Sequence, residues 1–367
     1  MMPHESFATF KKACDSPIER RRILSRMKRN RLRQGLKIVV RNSFLLDRVL
    51  RNYLMSLCGK FPLRSLEIAV GYECNFSCEQ CSCALNRDRG RKRLSLEQFK
   101  VSIEQAVEMG AFQFNLNGGE PMLYFEEVRE LCQYIRDRRC YVHMATNGFY
   151  FTPERMKLMK NAGLSSFEMG LDSSVESVHD ANRGVGSFKK IMENTNAAKK
   201  LGLVVAYNTV GSRDKILSGD LLRLVRLSEE KDVLLMITPP CVTGHWAGKM
   251  EVLLNKDEQW YIRWVLSTHA MTRIDNYNGL RRISCPAARE KMAVNPYGDV
   301  TSCPLIQIIY GNVLSDRLVD IQKNMLKDQY YLKGFKDGCL PSHNLEFIRD
   351  RLINFRDLKM NKKLTES

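Results

Sequence analysis

The run GYECNFSCEQCSC, residues 71–83, decides how the rest of the chain is read. It follows a strand-like segment, residues 66–70, and sets Cys74, Cys78 and Cys81 in one loop with three and then two residues between them. Three thiolates from one loop can hold three irons of a [4Fe–4S] cluster and leave the fourth iron open to bind and activate something. A cluster held by four cysteines mostly carries electrons. The competing reading is a structural zinc site, but zinc motifs usually pair two ligand couples, C-x2-C with C-x2-C or H-x3-H. Cys83 is separated from Cys81 by a single residue, which strains simultaneous ligation, and it reads as a bystander.

Outward from this loop, strand and helix signals alternate from residue 65 to about residue 240, which implies parallel strands joined by crossover helices. Ser95 and Gln98 form a capping-box pattern, Phe99, Ile103, Ala106 and Val107 make an apolar stripe, and Gly110 stops the helix. The strand FQFNLN ends in GGEP, Gly118 to Pro121, and a helix follows with Val128, Leu131, Cys132 and Ile135 on its buried side. CYVHMA ends in Thr146-Asn147-Gly148, after which Thr152 and Pro153 open a helix that Gly163 closes. SFEMGLD runs to Asp172, a helix through Phe188, Ile191 and Ala198 ends at Gly202, and LVVAYNTV and VLLMITPP complete six strands. The expected fold is α/β: a partial (β/α)6 TIM-like barrel with its active-site residues at the C-terminal ends of the strands.

The cysteine loop after a first strand resembles the signature of the radical S-adenosylmethionine (radical SAM) enzymes, and every motif just described falls at a strand end as it does in that family. The resemblance implies that the amino and carboxylate groups of SAM chelate the open iron. One electron, supplied by a flavodoxin- or ferredoxin-type donor, then releases a 5′-deoxyadenosyl radical. Gln80 stands where the family usually has tyrosine or phenylalanine, which removes one contact near adenine and leaves the ligand pattern intact. The resemblance makes Gly118, Gly119, Glu120 and Pro121 the turn whose backbone carbonyls receive the SAM ammonium, with Glu120 fixing the turn or meeting the ammonium. Thr146 and Asn147 fall near the methionine or ribose, Arg183 pairs with the SAM carboxylate, and Ser173 touches the carboxylate or ribose. For Asp172 and His179, helix capping competes with function.

A second motif begins at Cys285 in CPAAREKMAVNPYGDVTSC, where Asn295-Pro-Tyr-Gly298 turns one short strand back on another toward Cys303. It resembles the opening of SPASM and twitch domains, which bind auxiliary [4Fe–4S] clusters. The resemblance makes Cys285, Cys303 and Cys339 ligands of a second site of that kind, a single auxiliary [4Fe–4S] cluster. The usual second cysteine of the closing pair is replaced by Ser342, beside His343, so the fourth iron falls to Ser342, His343 or substrate, or stays open. Cys241, after Pro239 and Pro240, reads either as a small buried hydrophobe or as a thiol that donates hydrogen to a substrate radical. His245 and Trp246 are placed on the substrate side.

These motifs divide the chain into a basic helical N-terminal extension (1–62), a radical SAM core (63–240) and a connecting helical segment (241–284). A SPASM/twitch-like subdomain (285–345) and a tail (346–367) follow. The net charge is +17, and residues 20–41 hold ten Lys or Arg and no acid. That run packs as a solvated helix through Ile23, Leu24, Met27 and Leu32, or, with residues up to 57, meets an anionic membrane surface, or meets an anionic substrate. Nucleic acid comes last, because no stacking aromatics interleave the charges. Twelve cysteines without a signal-peptide pattern, and no long apolar run, lead us to expect a cytoplasmic protein, with peripheral attachment to the inner membrane surface as the variant. The expected activity is a radical SAM oxidoreductase acting on a peptide or small metabolite, with net oxidation or bond formation. The alternatives are an epimerase using Cys241 and a non-catalytic cluster- or zinc-binding interaction protein.

Overall fold

The structure, a computed structural model, describes residues 16–275, 279, 284–336 and 338–353, together with Phe7 and Phe10. Six parallel strands form its centre: β1 (Ser65–Gly71), β2 (Gln113–Gly118), β3 (Tyr141–Thr146), β4 (Ser166–Gly170), β5 (Val204–Val210) and β6 (Leu234–Thr238). They pair in sequence order, with helices Leu96–Glu108, Phe125–Asp137, Pro153–Ala162, Ser187–Lys200 and Asp220–Glu230 as crossovers. Each helix begins and ends for local reasons. Ser95 and Gln98 form the reciprocal capping box, Thr152 accepts from the Arg155 N–H with Pro153 behind it, and Gly163 takes the left-handed conformation that ends its helix. β1 is buried along its whole length, as a central strand covered on both faces should be.

The sheet is longer than six strands. β7 (Thr272–Ile274) adds in parallel beside β6. On the other edge β8 (Lys291–Val294) pairs in parallel with β1, and β9 (Asp299–Thr301) and β10 (Gly311–Asn312) follow antiparallel. The hairpin expected between MAV and DVTS is therefore formed, with Gly298 at φ +86° in its turn, but it continues the barrel sheet instead of standing apart from it. Among the described residues β7 and β10 are the free ends, so the barrel is open.

The basic helix Pro17–Arg41 lies against the helix Lys256–Thr268. Ile23 and Met27 are buried, Asn30 donates to the Leu266 and Ser267 carbonyls, and Gln34 to those of Ala270 and Thr272. Leu24 and Leu32 do not join this packing; they are 37 % and 63 % exposed. The next helix, Leu46–Leu57, is anchored by buried Asn52, which donates to the Gly110 and Leu63 carbonyls, while Leu46, Leu50, Tyr53, Leu54 and Leu57 face outward. No described helix is long and apolar enough to cross a membrane. Of the segments expected from the sequence, residues 1–6, 8–9 and 11–15 of the extension, 276–278 and 280–283 of the connecting segment, residue 337 of the C-terminal subdomain, and 354–367 of the tail lie outside the described residues.

Candidate metal and cofactor site

The loop after β1 is drawn tightly onto the end of β2. Gly119 N–H donates to the Gly71 carbonyl and Glu120 N–H to the Glu73 carbonyl, both at 2.8 Å. A Cβ on Gly118 would lie 2.2 Å from the Gly71 oxygen and one on Gly119 2.1 Å from the Glu73 oxygen, so only glycine allows this approach. Cys74 is exposed and Cys78 and Cys81 are half-buried, all as free thiols. The Cys81 N–H donates to the Cys78 carbonyl at 3.1 Å, which turns the loop, and Cys74 Sγ accepts from the Phe76 N–H and from Asn147 Nδ2. Such N–H donors are the kind that stabilise a cluster thiolate, so the donor set fits a [4Fe–4S] group. Among the described residues no three His, Cys, Asp or Glu side chains converge where one ion could sit. A four-iron cluster does not require that convergence, because each thiolate takes its own iron. Cys83 donates to the Gly118 carbonyl at 3.1 Å and hydrogen-bonds Cys81 Sγ at 3.6 Å, an interaction that pulls the Cys81 thiol down.

Several residues expected to touch SAM have internal partners. Buried Glu120 accepts from the Met122 N–H (2.9 Å), Thr146 Oγ1 (2.6 Å) and the Asn147 N–H (2.7 Å), bonds that brace the turn. Thr146 is spent between Glu120 and the Gly148 N–H. Asn147 ties the cysteine loop to the end of β3 through Asn75 Oδ1 at 2.8 Å. Ser173 Oγ accepts from the Val175 N–H, and Pro121 is buried at the start of a short helical turn.

Asp172 and Arg183 form a two-point ion pair, Nε to Oδ2 at 2.6 Å and Nη2 to Oδ1 at 3.1 Å. Burial would push the Asp172 carboxyl up, but Arg183 beside it holds it well below the usual carboxylate range. Gly170 leaves the guanidinium its space, and Asn182 links Asp172 to Gln80. The charge of Arg183 reaches Cys78 and Cys74, so the pair stands beside the triad. His179 Nδ1 accepts from the Asp172 N–H at 3.1 Å, a structural use of that histidine. The Gly244-His245-Trp246 turn does sit on the cysteine loop: His245 N–H donates to the Cys81 carbonyl and Trp246 Nε1 to Glu79.

Cys285, Cys303 and Cys339 are buried together in the C-terminal region. Cys241 is buried as well, its thiol donating to the Pro239 carbonyl at 3.4 Å.

A set of lumen residues went unread in the sequence. Glu67 of β1 accepts from Asn115 (2.5 Å) and Asn117 (2.9 Å) of β2 and pairs with Lys291 of β8 at 2.8 Å. His143 of β3 lies 3.4 Å from Glu168 of β4, to which Asn208 of β5 donates at 3.0 Å, and Thr238 of β6 donates to Asp275. Burial and the neighbouring Glu168 push the Asp275 carboxyl up to about 6. Charged residues at alternate strand positions were the available signal, since β1 places Glu67 between two buried aliphatics, Leu66 and Ile68.

The open parallel barrel with the cysteine loop at its C-terminal end is the arrangement expected of a radical SAM domain, and residues 68–215 match the Radical SAM superfamily. Over 269 residues the chain is 29 % identical to the mycofactocin maturase MftC of Mycobacterium ulcerans, covering 67 % of this chain and 70 % of that protein. It is 27 % identical to the MftC of Mycolicibacterium smegmatis over 268 residues, covering 67 % of this chain and 66 % of the relative. Among solved structures, Streptococcus suis SuiB bound to its precursor peptide SuiA shares the fold at TM-score 0.59 and 15 % identity, over 74 % of this chain and 67 % of that one. The enzyme anSMEcpe with bound AdoMet does so at TM-score 0.54 and 17 % identity, over 79 % and 87 %.

Proposed function

We propose that the chain is a peptide-modifying radical SAM oxidoreductase, with Cys74, Cys78 and Cys81 holding the SAM-binding [4Fe–4S] cluster. The observation that carries this reading is the set of three free thiols on a loop clamped to the β2 end, beside the Asp172–Arg183 pair. When bound, the cluster supplies an open iron and one electron, and SAM then yields a 5′-deoxyadenosyl radical able to take hydrogen from unactivated carbon. Arg183, oriented by Asp172, offers its remaining guanidinium N–H groups to the SAM carboxylate. The Gly118–Pro121 turn brings backbone close to the ammonium, with Glu120 as its brace. Asn147 holds the loop in register with β3.

A peptide substrate is supported by the maturase relatives and by the SuiB–SuiA complex. The lumen network of Glu67, Asn115, His143, Glu168 and Asp275 offers it polar contacts along the barrel wall. Cys285, Cys303 and Cys339 are the proposed ligands of an auxiliary [4Fe–4S] cluster, and a flavodoxin- or ferredoxin-type protein is the proposed electron donor. The outward row Leu46, Leu50, Tyr53, Leu54 and Leu57 beside a basic helix supports a second reading for residues 20–57, contact with an anionic membrane surface at the cytoplasmic face.

Anaerobic iron and sulfide content with SAM cleavage tests the proposal. About eight irons per chain and reductant-dependent 5′-deoxyadenosine fit two clusters. Replacing Cys78 with Ala abolishes cleavage, while Cys303→Ala spares it and stops product formation. Zinc in place of iron, or cleavage surviving Cys78→Ala, refutes the assignment.

A further inference from the structure

The auxiliary site lacks a fourth ligand near Cys339 in sequence, and both neighbours considered for it are engaged. Ser342 is buried and its Oγ donates to the Pro240 carbonyl at 2.6 Å. His343 directs Nδ1 at the Cys339 N–H at 3.1 Å. The Ser342–Pro240 bond also fixes the helical turn Leu340–His343 against the residue that precedes Cys241. Cys241, next in sequence to Pro240, is thereby set close to Cys339, the residue that precedes this turn, although the two lie almost a hundred residues apart in sequence.

The other two cysteines close on the same place. Cys285 N–H donates to the Phe335 carbonyl, which ties it to the segment leading into Cys339, and Ala288 N–H donates to the Ser302 carbonyl beside Cys303. Cys339 lies near enough to Cys285 and Cys303 for its charge to act on both. Cys241, Cys285, Cys303 and Cys339 are 6 %, 8 %, 5 % and 1 % exposed and share one continuous core. A single buried cysteine usually behaves as a small hydrophobe. Four from separate segments gathered together describe a ligand set.

Resting on the reading that Cys285, Cys303 and Cys339 hold the auxiliary cluster, we propose that Cys241 is its fourth thiolate ligand. Each of the four thiolates would take its own iron. Four protein thiolates leave no open iron for substrate, so the auxiliary group serves electron transfer. Cys241, bound to iron, is withdrawn from any role as a hydrogen-atom donor.

The test uses the full chain carrying Cys74→Ala, Cys78→Ala and Cys81→Ala, so that only the auxiliary site can fill. After anaerobic reconstitution this background binds about four irons per chain; if it binds none, the auxiliary-cluster reading itself fails. Adding Cys241→Ala makes one iron labile. Mild oxidation then gives a three-iron cluster by electron paramagnetic resonance, and added imidazole changes the Mössbauer spectrum of a single iron site. Ser342→Ala and His343→Ala in the same background behave as the parent. A Cys241→Ala cluster indistinguishable from the parent, or a three-iron signal produced by His343→Ala instead, overturns the proposal. Circular dichroism of the iron-free proteins checks folding. Should Cys241→Ala misfold, Cys241→Ser decides: a changed ligand alters the spectrum and midpoint potential, and an unaltered cluster refutes the assignment.

Discussion

Replacing Gly170 with Ala probes the Asp172–Arg183 pair without altering a cysteine or either member of the pair. Gly170 sits at an ordinary backbone φ, so alanine brings no conformational strain of its own. The new Cβ would lie 2.3 Å from Arg183 Nη2 and 2.5 Å from Cζ and Nη1. Non-bonded heavy atoms settle near about 3.5 Å, so the guanidinium must retreat by roughly 1 Å. Its bonds to Asp172, 2.6 Å and 3.1 Å, cannot both survive that shift. Losing one charge-assisted hydrogen bond costs about 1.5–3 kcal/mol, and a guanidinium moved by that much no longer meets the SAM carboxylate as a fork. SAM affinity should therefore fall by roughly 10- to 100-fold. The assay is anaerobic equilibrium binding of SAM to the reconstituted enzyme, with 5′-deoxyadenosine yield and iron content measured on the same sample. Iron content stays at the parent value, because the triad is untouched. Wild-type SAM affinity with full iron content would refute the placement of Arg183 as the carboxylate partner.

Glu120→Gln puts an amide NH2 where three donors now converge on a carboxylate, and should lower stability by about 1–3 kcal/mol, read as a lower melting temperature of the iron-free chain; an unchanged melting temperature would deny Glu120 its bracing role. Asp275 faces Glu168, Glu67, His143 and Lys291 and accepts from Thr238. Its folded carboxyl is raised to about 6 against an unfolded value of about 3.9, so its contribution to stability is present at low pH and lost as pH rises through about 6. Asp275→Asn should gain on the parent at pH 8 and lose that gain at pH 4, by thermal melts; the same offset at both refutes the coupling. Leu50→Glu with Leu54→Glu should abolish flotation with phosphatidylserine vesicles, whereas wild-type protein that fails to float removes the membrane reading.

The six central strands and their helix caps were legible because they rest on local chemistry: alternating burial, Ser95 with Gln98, Thr152 before Pro153, and glycines at positive φ. β7 escaped because three residues, Thr272–Ile274, carry no period, and it exists only by pairing with β6. The parallel pairing of β8 with β1 escaped for a different reason. It joins segments more than two hundred residues apart in sequence, and the Lys291–Glu67 ion pair that accompanies it exists only once they meet. The motif residues around the triad were found, but their partners were not. Glu120, Thr146 and Ser173 each have protein hydrogen-bond partners that a linear reading does not reveal. Cys241 shows the same limit in reverse, since its relation to Cys339 appears only once the Ser342–Pro240 bond closes the fold.

The position of Cys241 bears on how the reaction ends. Epimerisation needs a hydrogen donor with access to the substrate radical. The thiol that the sequence offered for this is buried and donates to the Pro239 carbonyl. Oxidation needs an electron acceptor near the lumen, and β8 supplies the physical link. It carries Lys291, whose ammonium is paired with lumen residue Glu67 and whose charge is felt at Cys303 and Asp275. Lys291 therefore places Glu67 and Cys303 in one charge network. A four-thiolate cluster there would take an electron without taking substrate, so the product should be lighter than the substrate by two hydrogens. Turnover in deuterated water separates the outcomes, because an epimerase leaves solvent deuterium at the reacting carbon and an oxidase removes hydrogen without replacing it.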